Sequence, residues 1–153
     1  MSIAQRPTSG IDAVRAAVAA AIPRGLLAAG RIYLADQGAR FDRNAAGGGD
    51  WPPLAESTAK RKGSRQILVG PDGPRPSLEP GHPENVLEVV PGPSGPALLA
   101  GTRNAVAKFH QAGGRHLPRR GAVAPASVDA ARAMLMAVTD EVRRAAVAAV
   151  RSR

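Results

Sequence analysis

Apolar residues between Ile11 and Leu27 fall at Ile11, Val14, Val18, Ile22, Leu26 and Leu27, a spacing of three and four that lines one face of a helix. Thr8 and Ser9 stand just ahead as candidate N-caps. Pro23 falls inside the stripe, where a missing donor and a ring clash predict either a kink or a break into two helices. Gly25 and Gly30 weaken the continuation, and Ile32, Tyr33 and Leu34 carry the helix on to about Asp36. A second stripe closes the sequence: Val128, Ala131, Leu135, Val138, Val142, Ala145 and Val150 repeat with a period near 3.6 residues. Ser127 can cap this helix, Asp129 suits its first turn, and Arg143, Arg144, Arg151 and Arg153 suit the negative end of its dipole.

The middle of the chain reads differently. Residues 38–83 show little periodicity and are expected to form a long loop region, with one short basic helix from Ser57 to Arg65, capped by Ser57. Ile67 to Val69 is too short to assign. From Gly70 to Pro83 the prolines remove backbone donors every two or three residues, which excludes regular structure. Val86–Val90 is a β-branched run, and Ala97–Thr102 is its expected partner across the turn P-G-P-S-G-P, giving a hairpin. Arg103–Gln111 predicts a short helix stopped by Gly113 and Gly114, followed by a loop over residues 115–125. The order is helix, long loop, two strands, short helix, loop, helix. It predicts one α+β domain over 1–153: a small antiparallel sheet packed by a long N-terminal helix and a C-terminal helix, with long Pro/Gly-rich loops and a flexible N-terminus over 1–8.

Composition sharpens this picture in two ways. Aromatic residues make up only 3% of the chain, so Trp51 and Phe109 are expected to be anchors. Much of the apolar share is alanine, which buries little area, so stability is expected to lean on association between subunits. The formal charge of +9 and the pI near 11.5 favour acidic partners, nucleic acid first among them, although an arginine-rich solvated surface gives the same number. Lys60, Arg61, Lys62 and Arg65 form one basic cluster, and Arg115, Arg119 and Arg120 another. No apolar run approaches the roughly 20 residues needed to span a bilayer, so no membrane partner is expected. The first ten residues lack a basic region followed by an apolar core, so cytoplasmic synthesis is expected.

Catalytic patterns are absent. His110 and His116 are six apart, without metal-ligand spacing and without a nearby carboxylate, and His82 stands alone. Cysteine is absent; Asp140 and Glu141 are adjacent on a helix and point apart. The glycine run at 47–49 precedes no Lys-Ser/Thr pair of a phosphate loop. Neither an enzyme, a cofactor nor a metal is expected.

Two segments carry a resemblance. The first runs G-D-W-P-P-L-A-E-S-T-A-K-R-K around Trp51; the second runs A-V-A-K-F-H-Q-A-G-G-R-H-L-P-R-R from Ala105 to Arg120. Trp51, Pro53, Leu54, Thr58 and Lys62, then Gly101-Thr102, then Ala107 with His110-Gln111 and Gly113, then Leu117-Pro118 with Arg119 and Arg120, follow in order. This ordered set resembles the phage virion morphogenesis proteins, the tail-completion or neck components of Mu-type and P2-type phages. The tyrosine that the family places ahead of His-Gln is replaced by Val106 or a neighbouring alanine, and the segment before the first strand is altered to I-L-V-G-P-D-G-P-R-P-S-L. The resemblance implies a structural subunit that joins others in a ring, expected to be a hexamer, in the virion neck or tail top. Its partners would be other copies, connector or stopper proteins, tail-tube proteins and DNA in the lumen. Trp51, Leu54, Phe109, His110, Gln111 and Arg119 would then be assembly or loop anchors, and Lys60, Arg61, Lys62 and Arg65 the contacts to DNA or to an acidic partner. The alternative is a small basic protein that binds DNA without regard to sequence.

Overall fold

The computed structural model describes residues 10–47, 49–68, 73–114, 118–121 and 123–152. Its elements are α1 (Gly10–Ala45), α2 (Glu56–Lys62), a single 3-10 turn (Pro76–Leu78), β1 (Asn85–Gly92), β2 (Gly95–Thr102), α3 (Ala105–Ala112) and α4 (Val128–Arg151). The α+β class holds: a two-stranded antiparallel sheet, with the long N-terminal helix and the C-terminal helix packed together. The expected caps Thr8 and Ser9, and the flexible N-terminus, lie outside the described residues.

Helix α1 departs from expectation by its length. It passes Pro23 without interruption and continues through Gly38 to Ala45, 36 residues or about 54 Å. Tertiary packing outweighs the donor that Pro23 removes, because α4 and the hairpin both rest on this helix. By length and composition α1 is also apolar enough to cross a bilayer, so the expectation that no run is long enough does not stand. In this fold α1 packs against α4 and the sheet.

The two helices pack antiparallel, and small residues face the seam. Ala21, Gly25 and Ala29 of α1 are buried, and a Cβ added at Gly25 would lie 3.0 Å from the Val138 Cα. On α4, Ala130 is buried, and the half-buried positions come in adjacent pairs one turn apart: Ala133 and Met134, Ala137 and Val138, Glu141 and Val142, Ala145 and Ala146. The expected stripe on α4 is therefore corrected. Val128, Ala131, Leu135 and Val150 are exposed, Leu135 by 69%. Ile11 likewise lies outside the seam of α1. Small residues at Ala21, Gly25 and Ala29 let the two backbones come close, and Met134, Val138 and Val142 share the half-buried face of α4 with the alanines. Arg24 joins the pair at the edge, 2.7 Å from Glu141.

The hairpin matches its expected place and is longer at both strands. Asn85 pairs with Thr102 and Gly92 with Gly95, so Pro93 and Ser94 alone make the turn. Pro91 opposite Pro96 is tolerated because each strand has a free edge that needs no ladder donor. Leu87 and Leu98 lie on the face turned to α1, where Gly30 leaves room for both side chains. Leu34, Phe41, Trp51, Ile67, Leu78 and Ala107 form the main core below them.

The middle region is more ordered than the sequence suggests. α2 starts at Glu56 after Ala55, which gives no side-chain cap, so Ser57 is inside the helix and not its cap. Gly63 stops α2 in a left-handed conformation two residues before Arg65. The proline-rich stretch contains the 3-10 turn, tied to α1 by Arg75, whose guanidinium lies 2.8 Å from Asp42 and 3.1 Å from Glu79. In α3, Asn104 is the cap: its side-chain oxygen accepts the Val106 and Ala107 N–H groups, so the helix begins at Ala105 and not at Arg103.

Replacing Gly25 by valine should lower stability by about 1–3 kcal/mol, because the obstacle is the α4 backbone and not a movable side chain. Thermal unfolding followed by circular dichroism measures this. Alanine at Leu135, which is exposed, should change the midpoint little.

Candidate functional site

The two segments that stand far apart in sequence meet in space, and the residue that joins them is Arg120. Its side chain is 4% exposed. Its Nε and Nη2 atoms donate to the Pro52 carbonyl at 3.1 and 3.0 Å, and Nη2 also reaches the Pro53 carbonyl at 3.3 Å. Two successive prolines suit this role: with fixed φ and no N–H, they present two carbonyl acceptors and require no donor partner of their own. The Arg120 backbone N–H donates to the His110 carbonyl at 2.9 Å, so one residue links the tryptophan loop to the end of α3. Burial pushes the Arg120 pKa down from its ordinary value.

Trp51 is set from the other side by α1. Asn44 donates to the Arg40 carbonyl, 2.9 Å, and its side-chain oxygen accepts the Trp51 backbone N–H at 3.1 Å. The indole meets the Phe41 ring edge to face, centroids 4.6 Å apart at 89°. The indole Nε1 is buried without a hydrogen-bond partner. Leu54 packs on the same core. Both residues are thus anchors within the subunit.

Beyond Arg120 the chain is held to one polar face of α1. Arg40 donates to the Gly121 carbonyl at 2.9 Å, Gln37 accepts the Ala124 N–H at 3.0 Å, and Tyr33 donates to the Ala124 carbonyl at 2.9 Å. Asp36 accepts both the backbone N–H and the hydroxyl of Ser127, which in turn caps α4. Gln111 exchanges two bonds with Val123, 3.0 and 3.1 Å. Gln111, expected from the resemblance as an anchor, reaches this loop from the last turn of α3, and the ladder of Tyr33, Asp36, Gln37, Arg40 and Asn44 was not anticipated from the sequence. Their spacing of three and four along α1 is the signal that could have found it.

The remaining expected residues fall into three groups. His110 is half-buried, its Nδ1 enclosed and without a partner; desolvation and then the Arg120 charge hold its pKa below the usual histidine value. Phe109 is 64% exposed, so it anchors nothing within its own subunit. Arg119 is also exposed; the buried clamp is its neighbour. In the basic cluster, Arg65 pairs with Glu56 at 3.1 Å, and Lys62 donates to the Gln66 carbonyl at 2.6 Å. Lys60 and Arg61 are exposed on α2. Arg115, His116 and Leu117 lie outside the described residues.

Pro53, Leu54, Thr58, Lys62, His110 and Arg120 border a cleft of about 600 Å³ where the two segments meet. Its walls are mostly apolar, and its polar groups are cationic or neutral. Among the described residues no three His, Asp or Glu side chains converge on a common point. The geometry offers a seat for an apolar or acidic side chain rather than paired acid and base groups. No family model matches the chain, and no curated protein or solved structure matches it either.

Replacing Arg120 by methionine leaves the Pro52 and Pro53 carbonyls without their donors and should cost about 2–3 kcal/mol, whereas Arg119→Ala should stay within about 0.5 kcal/mol. Urea unfolding followed by the fluorescence of the single tryptophan reads both.

The His110 shift sets a sign for pH. The unfolded chain takes up a proton near pH 6.5, while the folded chain resists until a lower pH. Folding stability should therefore fall as pH drops below about 6.5 and level off below the folded pKa. His110→Gln should remove that part of the slope.

Proposed function

We propose that this chain is a non-enzymatic structural subunit of a phage-type particle. It acts as one copy of a ring at the head–tail junction or tail top, joining the capsid connector to the tail around the DNA channel. The observation that carries this reading is the Arg120 clamp. Residues on which the resemblance rests, Trp51, Pro53 and Leu54 on one side and His110 and Arg120 on the other, meet in one fastened unit. Their individual motifs are short, and a shared physical task is a reason for them to occur together.

Two further features support it. The core is thin and rich in small residues, so burial between subunits would add stability that one copy lacks. Lys60 and Arg61 stand exposed on α2, where a ring could present them to DNA without sequence preference. These same two residues are what favours the second reading, a small basic DNA-binding protein acting as a monomer or dimer.

Native mass measurement separates the two. The ring reading expects a particle several times the 15.7 kDa chain, visible as closed rings in electron micrographs. Particles made without this chain should accumulate as separate DNA-filled heads and tails. A stable monomer that shifts DNA in a salt-sensitive way would replace the first reading by the second.

A further inference from the structure

The outer half of the α1–α4 pair carries an apolar groove that no element of the described chain covers. Ile11, Val14, Val18, Ala19 and Ile22 form one wall and Val150 the other, around about 710 Å³. Arg15 is the one charged side chain along it. From Gly10 to Ile22 the groove extends about 18 Å at the helical rise. An apolar cleft between two helices is the form that receives the apolar face of a third.

The same chain carries a helix of matching form. α3 is eight residues long, about 12 Å, and shorter than the groove. Ala105, Phe109 and Ala112 follow at i, i+4 and i+7 on its outer face, with Val106 on one flank and Lys108 on the other, and all five are exposed. Phe109 is one of two phenylalanines in the chain, and a ring this open on a regular helix is an anchor without a seat.

α3 cannot reach its own groove. The loop that follows it is fastened to α1 at Gln37 and Arg40, some 20 residues or about 30 Å along the helix from the groove's centre. Knob and groove thus lie apart on one molecule, the arrangement that makes head-to-tail contacts between identical copies.

We propose that α3 of one copy seats in the α1–α4 groove of the next, with Phe109 entering between Ile11 and Val150. The contact rests on the ring reading above and names the surfaces through which the copies join. It is heterologous, so repetition closes a ring where the rotation permits and extends a filament where it does not.

Two variants and their mixture test it. Phe109→Asp spoils the knob, and the double change Ile11→Asp with Val150→Asp spoils the groove. All three positions are more than half exposed, so folding should persist, and circular dichroism checks helicity. Each variant alone should be monomeric at concentrations where the unaltered chain assembles, with association weakened about 30-fold or more. Mixed in equal amounts they should form a one-to-one dimer, because one sound knob and one sound groove remain. Assembly of Phe109→Asp like that of the unaltered chain would overturn the seating and leave the ring reading intact; the groove would then be covered by another surface, such as a second groove or residues 1–9. A mixture that stays monomeric would also overturn it. An unaltered chain that never assembles would defeat the ring reading and the seating together.

Discussion

Where α1 crosses α4, the glycine at 25 lies so close to the Val138 backbone that an added Cβ would stand 3.0 Å from the Val138 Cα. That distance governs what can stand along the seam. Gly25 and the alanines beside it admit the α4 backbone, and α4 turns Ala130, Ala133, Ala137, Val138, Val142 and Ala145 toward α1, while Leu135, Met136, Val147 and Val150 are left on the outside. Each buried methyl-sized group contributes about 0.8 kcal/mol, less than a leucine or phenylalanine would, so the seam gains by closeness more than by area. The α4 side chains on the far side of the crossing stay exposed.

At the other end of α1 the helix carries polar work. Tyr33, Asp36, Gln37, Arg40 and Asn44 take up backbone groups of the tryptophan loop and of the segment before α4. Irregular chain can be enclosed only when its N–H and C=O groups find partners, and one helix face supplies several of them here. Arg120 completes the set from the opposite side. Its guanidinium lies on carbonyls, not on a carboxylate, so the group holds the Pro52–Pro53 segment in place. Trp51 and Phe41 fill the space between these two polar frames.

The candidate site was legible in part for a physical reason. Trp51, Leu54 and Gln111 could be singled out because scarce aromatic residues and loop-to-helix junctions leave marks in a sequence. The Arg119 assignment was displaced by one position. Adjacent arginines in a loop look alike until the backbone decides which one points inward. Phe109 was read as an anchor from its rarity alone, and rarity does not say whether the seat lies in the same subunit. Lys62 and Arg65 were expected to meet DNA or an acidic partner, and the turn after α2 returns them to Gln66 and Glu56.

By itself the sequence determined the elements whose information is local. The hairpin at 85–102, the short helix before Gly113, the capped C-terminal helix and the α+β order all follow from periodicity, β-branching, caps and glycine stops within a few residues. Only the tertiary structure decided which faces are buried, how far α1 runs, and that the Trp51 and Arg120 segments touch. Those outcomes depend on what lies opposite in space. The period of α4 is compatible with more than one inward face, and the one taken holds Val138 and Val142 with the alanines and leaves Leu135 and Val150 outside. The choice was made by the close crossing at Gly25, a condition that no local pattern in α4 contains.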